Sequence, residues 1–124
     1  MQKADRLQAL AAVRRAERAR ALEKLGSAEQ DAEQARAACV TNQNRASALR
    51  AMLDAPLSHG RRGAEAVAAV MSLRRQHASE LALLDTELSA LRGRLAEAER
   101  VLSAAQDDAA RAHNALKAVE NRCL

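Results

Sequence analysis

From Val67 onward, apolar residues recur at alternating steps of three and four positions, and almost nothing interrupts the pattern. The positions are Val67, Val70, Arg74, His77, Leu81, Leu84, Leu88, Leu91, Leu95, Ala98, Leu102, Ala105, Ala109, Ala112, Leu116, Val119 and Cys123, and only Arg74 and His77 among them are not apolar. A 3.5-residue repeat held for about eight heptads makes a helix that supercoils left-handedly against a second helix. The opposite face, with Ser72, Ser79, Thr86, Gly93, Arg100, Asp107, Asn114 and Asn121, is polar and suits water. An earlier stretch carries the same repeat: Leu25, Ala28, Ala32, Ala35, Cys39, Asn42, Ala46, Leu49 and Leu53.

Between the two repeats lies the one segment rich in helix breakers, Asp54 to Gly63, with the only Pro and two of the four Gly. Pro56 excludes the preceding residue from the α region and so ends the first helix. The prediction is an all-α fold: a two-helix antiparallel coiled-coil hairpin, a single domain over residues 1–124. Helix 1 is expected at about 3–54, the loop at about 55–63 and helix 2 at about 64–122. With both helices meeting the loop at one level, Leu53 faces Val67, Leu49 faces Val70 and Asn42 faces His77. Cys39, Ala35, Ala32, Ala28 and Leu25 then face Leu81, Leu84, Leu88, Leu91 and Leu95. Small residues oppose large ones, as close interdigitation needs. Toward the N-terminus a strict repeat puts Arg14 and Arg18 in the seam and leaves Leu10, Val13 and Leu22 outside. Either the phase slips there or that end meets another protein. The same register sets Gly26 and Gly93 at one level.

Composition narrows the function. The 124 residues are 48% hydrophobic, largely Ala, and contain no Phe, Tyr or Trp. Ala, Leu, Arg, Glu and Gln are strong helix formers, but Ala buries little area, so a globular core is not expected. The net charge of +4 is mild and no aromatic ring is present for a base to stack on, which makes nucleic acid an unlikely partner. No apolar run is long enough for a membrane span, and the charged opening Met1-Gln2-Lys3-Ala4-Asp5-Arg6 predicts no leader. Two cysteines, Cys39 and Cys123, fall on seam positions too far apart for a disulfide and read as small apolar residues in a reducing cytoplasm.

No constellation points to catalysis, to a cofactor, to a metal or to a small-molecule substrate. His59, His77 and His113 lie far apart on a hairpin. Three groups stand out instead. Asn42, Arg74 and His77 form a polar layer in an apolar seam, a device that fixes register or opens locally. Arg14, Arg15, Arg18 and Arg20, with Arg111 and Lys117 across from them, make the paired-terminus end basic. His59, Arg61 and Arg62 mark the loop tip. Helix-spaced ion pairs are expected at Glu17–Arg20, Glu33–Arg36, Glu97–Arg100 and Asp107–Arg111, each worth about 0.2–0.5 kcal/mol. Leu73, Leu83, Val101, Met71, Met52 and Val40 sit off the seam and leave apolar surface for a partner.

A hairpin of this size, with Ala- and Arg-rich helices, near-equal arms, one Pro/Gly loop and no catalytic residues, resembles the FliJ/YscO-type stalk proteins of flagellar and type III secretion export. The resemblance covers the whole chain and rests on architecture, length and charge. It implies a non-catalytic cytoplasmic stalk at the base of a secretion apparatus. The terminal ends would sit in the pore of a hexameric secretion ATPase and the rest would reach toward an export-gate protein. Two rival readings are a self-associating four-helix adaptor or scaffold, and a small RNA-binding helical hairpin.

Overall fold

In the computed structural model the described residues are 2–55 and 63–123. They form two helices, α1 (Gln2–Asp54) and α2 (Ala64–Cys123), with no strand among them. The helices pack against each other in an all-α helical hairpin. The strong helix formers of both segments explain their length, and Gly26 and Gly93 are the only breakers within them. α1 stops two residues before Pro56.

The pair divides into two compact units: Ala35–Leu95, containing the turn, and Met1–Gln34 with Ala96–Leu124, containing the open end. In the turn unit Ala46, Leu49 and Leu84 form a buried cluster with Leu81 packed on it, and Cys39 and Leu88 are buried as well. Each leucine sequestered this way contributes about 1.5–3 kcal/mol. In the open-end unit the buried residues are Ala11, Ala28 and Ala32 from α1, and Ala105, Ala109, Leu116 and Val119 from α2. The seam faces therefore follow the heptad positions of both helices, without a phase slip in α1. Ala11, Arg14, Arg18, Ala21 and Leu25 are buried or half-buried in sequence, and Val13 and Leu22 are 51% and 45% exposed, but Leu10, expected outside the seam, is half-buried beside Ala11.

The register differs from the equal-arm expectation. Arg45 pairs with Glu80, and Arg50 with Asp85 at 2.8 Å, on the two flanks of the seam. Ala46 and Leu49 thus meet Leu84 and Leu81, so each α1 residue faces a point on α2 about ten residues further along than predicted, roughly 15 Å. Leu49 does not meet Val70, and Leu53 does not meet Val67, which is 50% exposed. Arg15 and Glu120, at 3.9 Å, hold the open-end unit in a matching register. Gly26 accordingly lies near the level of Ala104, and the two glycines form no shared layer.

Arg74 caps the end of α1 in this register. The final turn of α1 has no basic residue of its own, and its last carbonyls have no partners within the helix. The Arg74 guanidinium donates to the carbonyls of Leu53 and, at 3.4 Å, Ala55. A cation there also complements the negative end of the helix dipole. The end of α1 is thereby set against Arg74, and the stretch of α2 from Ala64 to Leu73 extends past it. In that stretch Glu65 and Ser72 are the only polar residues, yet every residue except Val70 is exposed.

Candidate protein-interaction site

The three residue groups singled out from sequence fare differently. His59, Arg61 and Arg62 lie outside the described residues. Asn42, Arg74 and His77 are each half-buried but do not form one layer. The Asn42 amide donates to the Glu87 carboxylate at 3.3 Å, ten residues beyond His77 on α2. Arg74 is committed to the end of α1. The register shift separates Asn42 from His77 and sets it beside Glu87.

The basic end is not one continuous face. Successive helical residues point about 100° apart, so Arg14 and Arg18 share the seam while Arg15 and Arg20 leave it on opposite flanks. Arg14 turns outward to bond Glu17 at 2.9 Å, in place of the expected Glu17–Arg20 pair. Arg15 faces Glu120 across the seam. Arg18 is the exceptional one. Its Nε is buried and makes no hydrogen bond, in a seam where the opposing α2 positions are Ala109 and Ala112. On α2, Arg111 pairs with Asp108 at 3.7 Å rather than with Asp107, Arg100 pairs with Glu97 at 2.6 Å, and Lys117 is exposed. Of the six basic residues of this end, Arg14, Arg15 and Arg111 are therefore matched by a carboxylate.

A feature that the sequence did not announce lies on the Arg20 flank of the open-end unit. A groove of about 620 Å³ runs between the helices, floored by Ala21, Ala28, Ala104 and Ala105. Its α1 wall carries Glu17, Arg20, Lys24, Ser27 and Asp31, and its α2 wall carries Val101 and Asp108. Alanines on both helices leave the groove wide, and Val101, an exposed apolar side chain, stands on its edge. The signal in the sequence was the spacing Glu17, Arg20, Lys24, Ser27, Asp31, one stripe of α1 beside the seam.

Elsewhere the predicted off-seam residues Val40, Met52, Met71, Leu73, Leu83 and Val101 are all exposed. Cys39 is buried in the seam, but Cys123 is exposed, so the seam ends short of it. Both thiols are free. Among the described residues no helix is long and apolar enough to cross a membrane. Comparison with protein-family models, with curated proteins and with solved structures returns no match.

Proposed function

We propose that this chain is a non-catalytic stalk protein that works by docking other proteins, specifically the central stalk of a bacterial type III secretion export apparatus. In this reading the open end binds and modulates the hexameric secretion ATPase, and the turn end reaches the export-gate protein, on the cytoplasmic side. The observation that carries the docking reading is apolar surface left over after the seam is complete. Val13, Leu22 and Val101 around the open-end unit, and Val67, Met71 and Leu73 ahead of the end of α1, are about half exposed. Exposed apolar surface of this kind marks interaction sites. The assignment to a secretion stalk rests on the likeness of length, arm symmetry and Ala/Arg composition to FliJ/YscO-type proteins.

Arg18 favours the open end as the ATPase-binding end. A guanidinium held in an alanine seam with an unbonded nitrogen costs stability and is relieved when an acidic group reaches it. Arg15, Arg20 and Arg111 are held only by exposed or loose ion pairs, or line the groove, and can exchange partners at little cost.

The test is direct. The purified chain is mixed with a hexameric secretion ATPase from the same organism, and binding and hydrolysis rate are followed. Binding with a raised rate, reduced by Arg20→Glu combined with Arg111→Glu, is the expected result. A folded chain that neither binds nor alters the rate would overturn the assignment.

A further inference from the structure

Charge is left over at two places along the open-end groove. Of the charged side chains that line it, Glu17 is tied to Arg14 at 2.9 Å and Asp108 to Arg111 at 3.7 Å. Arg20, Lys24 and Asp31 are exposed and enter no ion pair among the described residues. Two free cations therefore stand toward the termini, and one free anion stands toward the turn, about 10 Å beyond Lys24 along α1. Glu97, one turn from Val101 on the same flank of α2, adds a second carboxylate at the height of Asp31; its bond is to Arg100 at 2.6 Å, an exposed i,i+3 pair that exchanges readily. Between these poles the groove is apolar, with alanines for a floor and Val101, 49% exposed, on its rim.

We infer that this groove docks one helix of another protein, whose exposed face carries a carboxylate, a large apolar side chain and a cation on successive turns. Positions i, i+3 and i+7 share one face of a helix and span about 10 Å, the separation of Lys24 from Asp31. The carboxylate meets Arg20 and Lys24, and the cation meets Asp31 and Glu97. The apolar side chain fills the space that the alanine floor leaves beside Val101. A second copy of this chain does not supply such a face. None of its exposed large apolar residues has an acid one turn to one side and a base one turn to the other: Leu83 stands between Glu80 and Glu87, and Val40 has Arg36 alone. Where the chain does carry the pattern, at Asp85, Leu88 and Arg92, the leucine is buried in the seam. The inference rests on the reading of the open end as a docking end, and not on the partner being an ATPase.

The probe is a fluorescent, alanine-rich helical peptide with Glu, Leu and Lys at i, i+3 and i+7, titrated with the whole chain up to millimolar concentration and followed by anisotropy. The wild type is expected to bind it, and replacing the peptide's Leu with Ala should weaken binding about fivefold or more. Arg20→Glu combined with Lys24→Glu should weaken it about fivefold and should reverse the preference, toward a peptide with Lys at both i and i+7. Ala104→Leu, at an exposed floor position, fills the groove and should abolish binding. Circular dichroism of each variant confirms that the helices are intact. A folded wild type that binds no peptide would overturn the inference, and so would binding indifferent to Ala104→Leu or to the charge change. Sedimentation of the chain alone showing a dimer that Ala104→Leu abolishes would overturn it equally, because a second copy then fills the groove. None of these readouts uses an ATPase, so failure here is distinct from failure of the stalk assignment.

Discussion

Replacing Arg18 with leucine should make the hairpin more stable. The side chain sits on a seam position, half-buried, and its Nε is shielded from water without a hydrogen bond. Leaving a buried donor unsatisfied costs about 1–3 kcal/mol. Leucine removes that donor and returns part of the value of a buried leucine, about 1 kcal/mol at a position that is only partly covered. The arginine stem also covers apolar surface, and losing it offsets some of the gain. The net expectation is about 1–3 kcal/mol in favour of Arg18→Leu. At about 3–5 °C per kcal/mol for a chain of this size, the melting temperature should rise by roughly 3–15 °C. The assay is thermal and urea unfolding followed by circular dichroism, at one low protein concentration so that self-association does not contribute. Arg18→Lys separates the buried nitrogen from the charge, because lysine keeps a terminal cation and lacks Nε. It should be at least as stable as the wild type. If both variants lose about 1 kcal/mol or more, Nε is bonded in solution and the argument about a relieved donor at the ATPase-binding end fails with it.

Arg74→Ala removes both bonds to the end of α1 and should cost about 1–2 kcal/mol in urea unfolding, with Arg74→Lys intermediate; an unchanged midpoint would contradict its role as a cap. A Cβ added at Gly26 meets nothing within 4 Å, so Gly26→Ala should stabilise by about 1 kcal/mol through helix propensity alone, again by unfolding midpoint. Ala46 is 0% exposed, and enlarging it in Ala46→Leu should cost about 1–3 kcal/mol by overpacking, whereas a neutral result would mean that the cluster around Leu84 is loose.

The seam was legible because apolar spacing reports directly which side of a helix is covered. Leu49, Leu84, Leu88, Leu116 and Val119 were readable this way, and so was the strict continuation through Arg14 and Arg18. Register was not legible from that spacing. A heptad seam nearly repeats itself when slid by one and a half heptads, so small-against-large pairing survives the shift and cannot choose between the two alignments. The observed alignment is accompanied by contacts that spacing ignores: Arg45 with Glu80, Arg50 with Asp85, and Arg74 on the backbone of Leu53 and Ala55. The polar layer of Asn42 and His77 was lost with the register. The basic cluster looked continuous because Arg14, Arg15, Arg18 and Arg20 are close in sequence, but helical rotation sends them to the seam and to both flanks. The groove was hard to see beforehand because it is made of what alanine leaves unfilled.

The alignment of the two arms near the turn is open to direct measurement with a short thiol–thiol crosslinker. In a Cys39→Ser, Cys123→Ser background, Ala46→Cys is combined with either Leu84→Cys or Leu73→Cys. The account predicts rapid crosslinking within one molecule for the pair at 46 and 84, because Ala46 and Leu84 share one buried cluster. It predicts little for the pair at 46 and 73. Crosslinking of 46 to 73 instead, or only between molecules, would contradict the alignment of the arms within Ala35–Leu95.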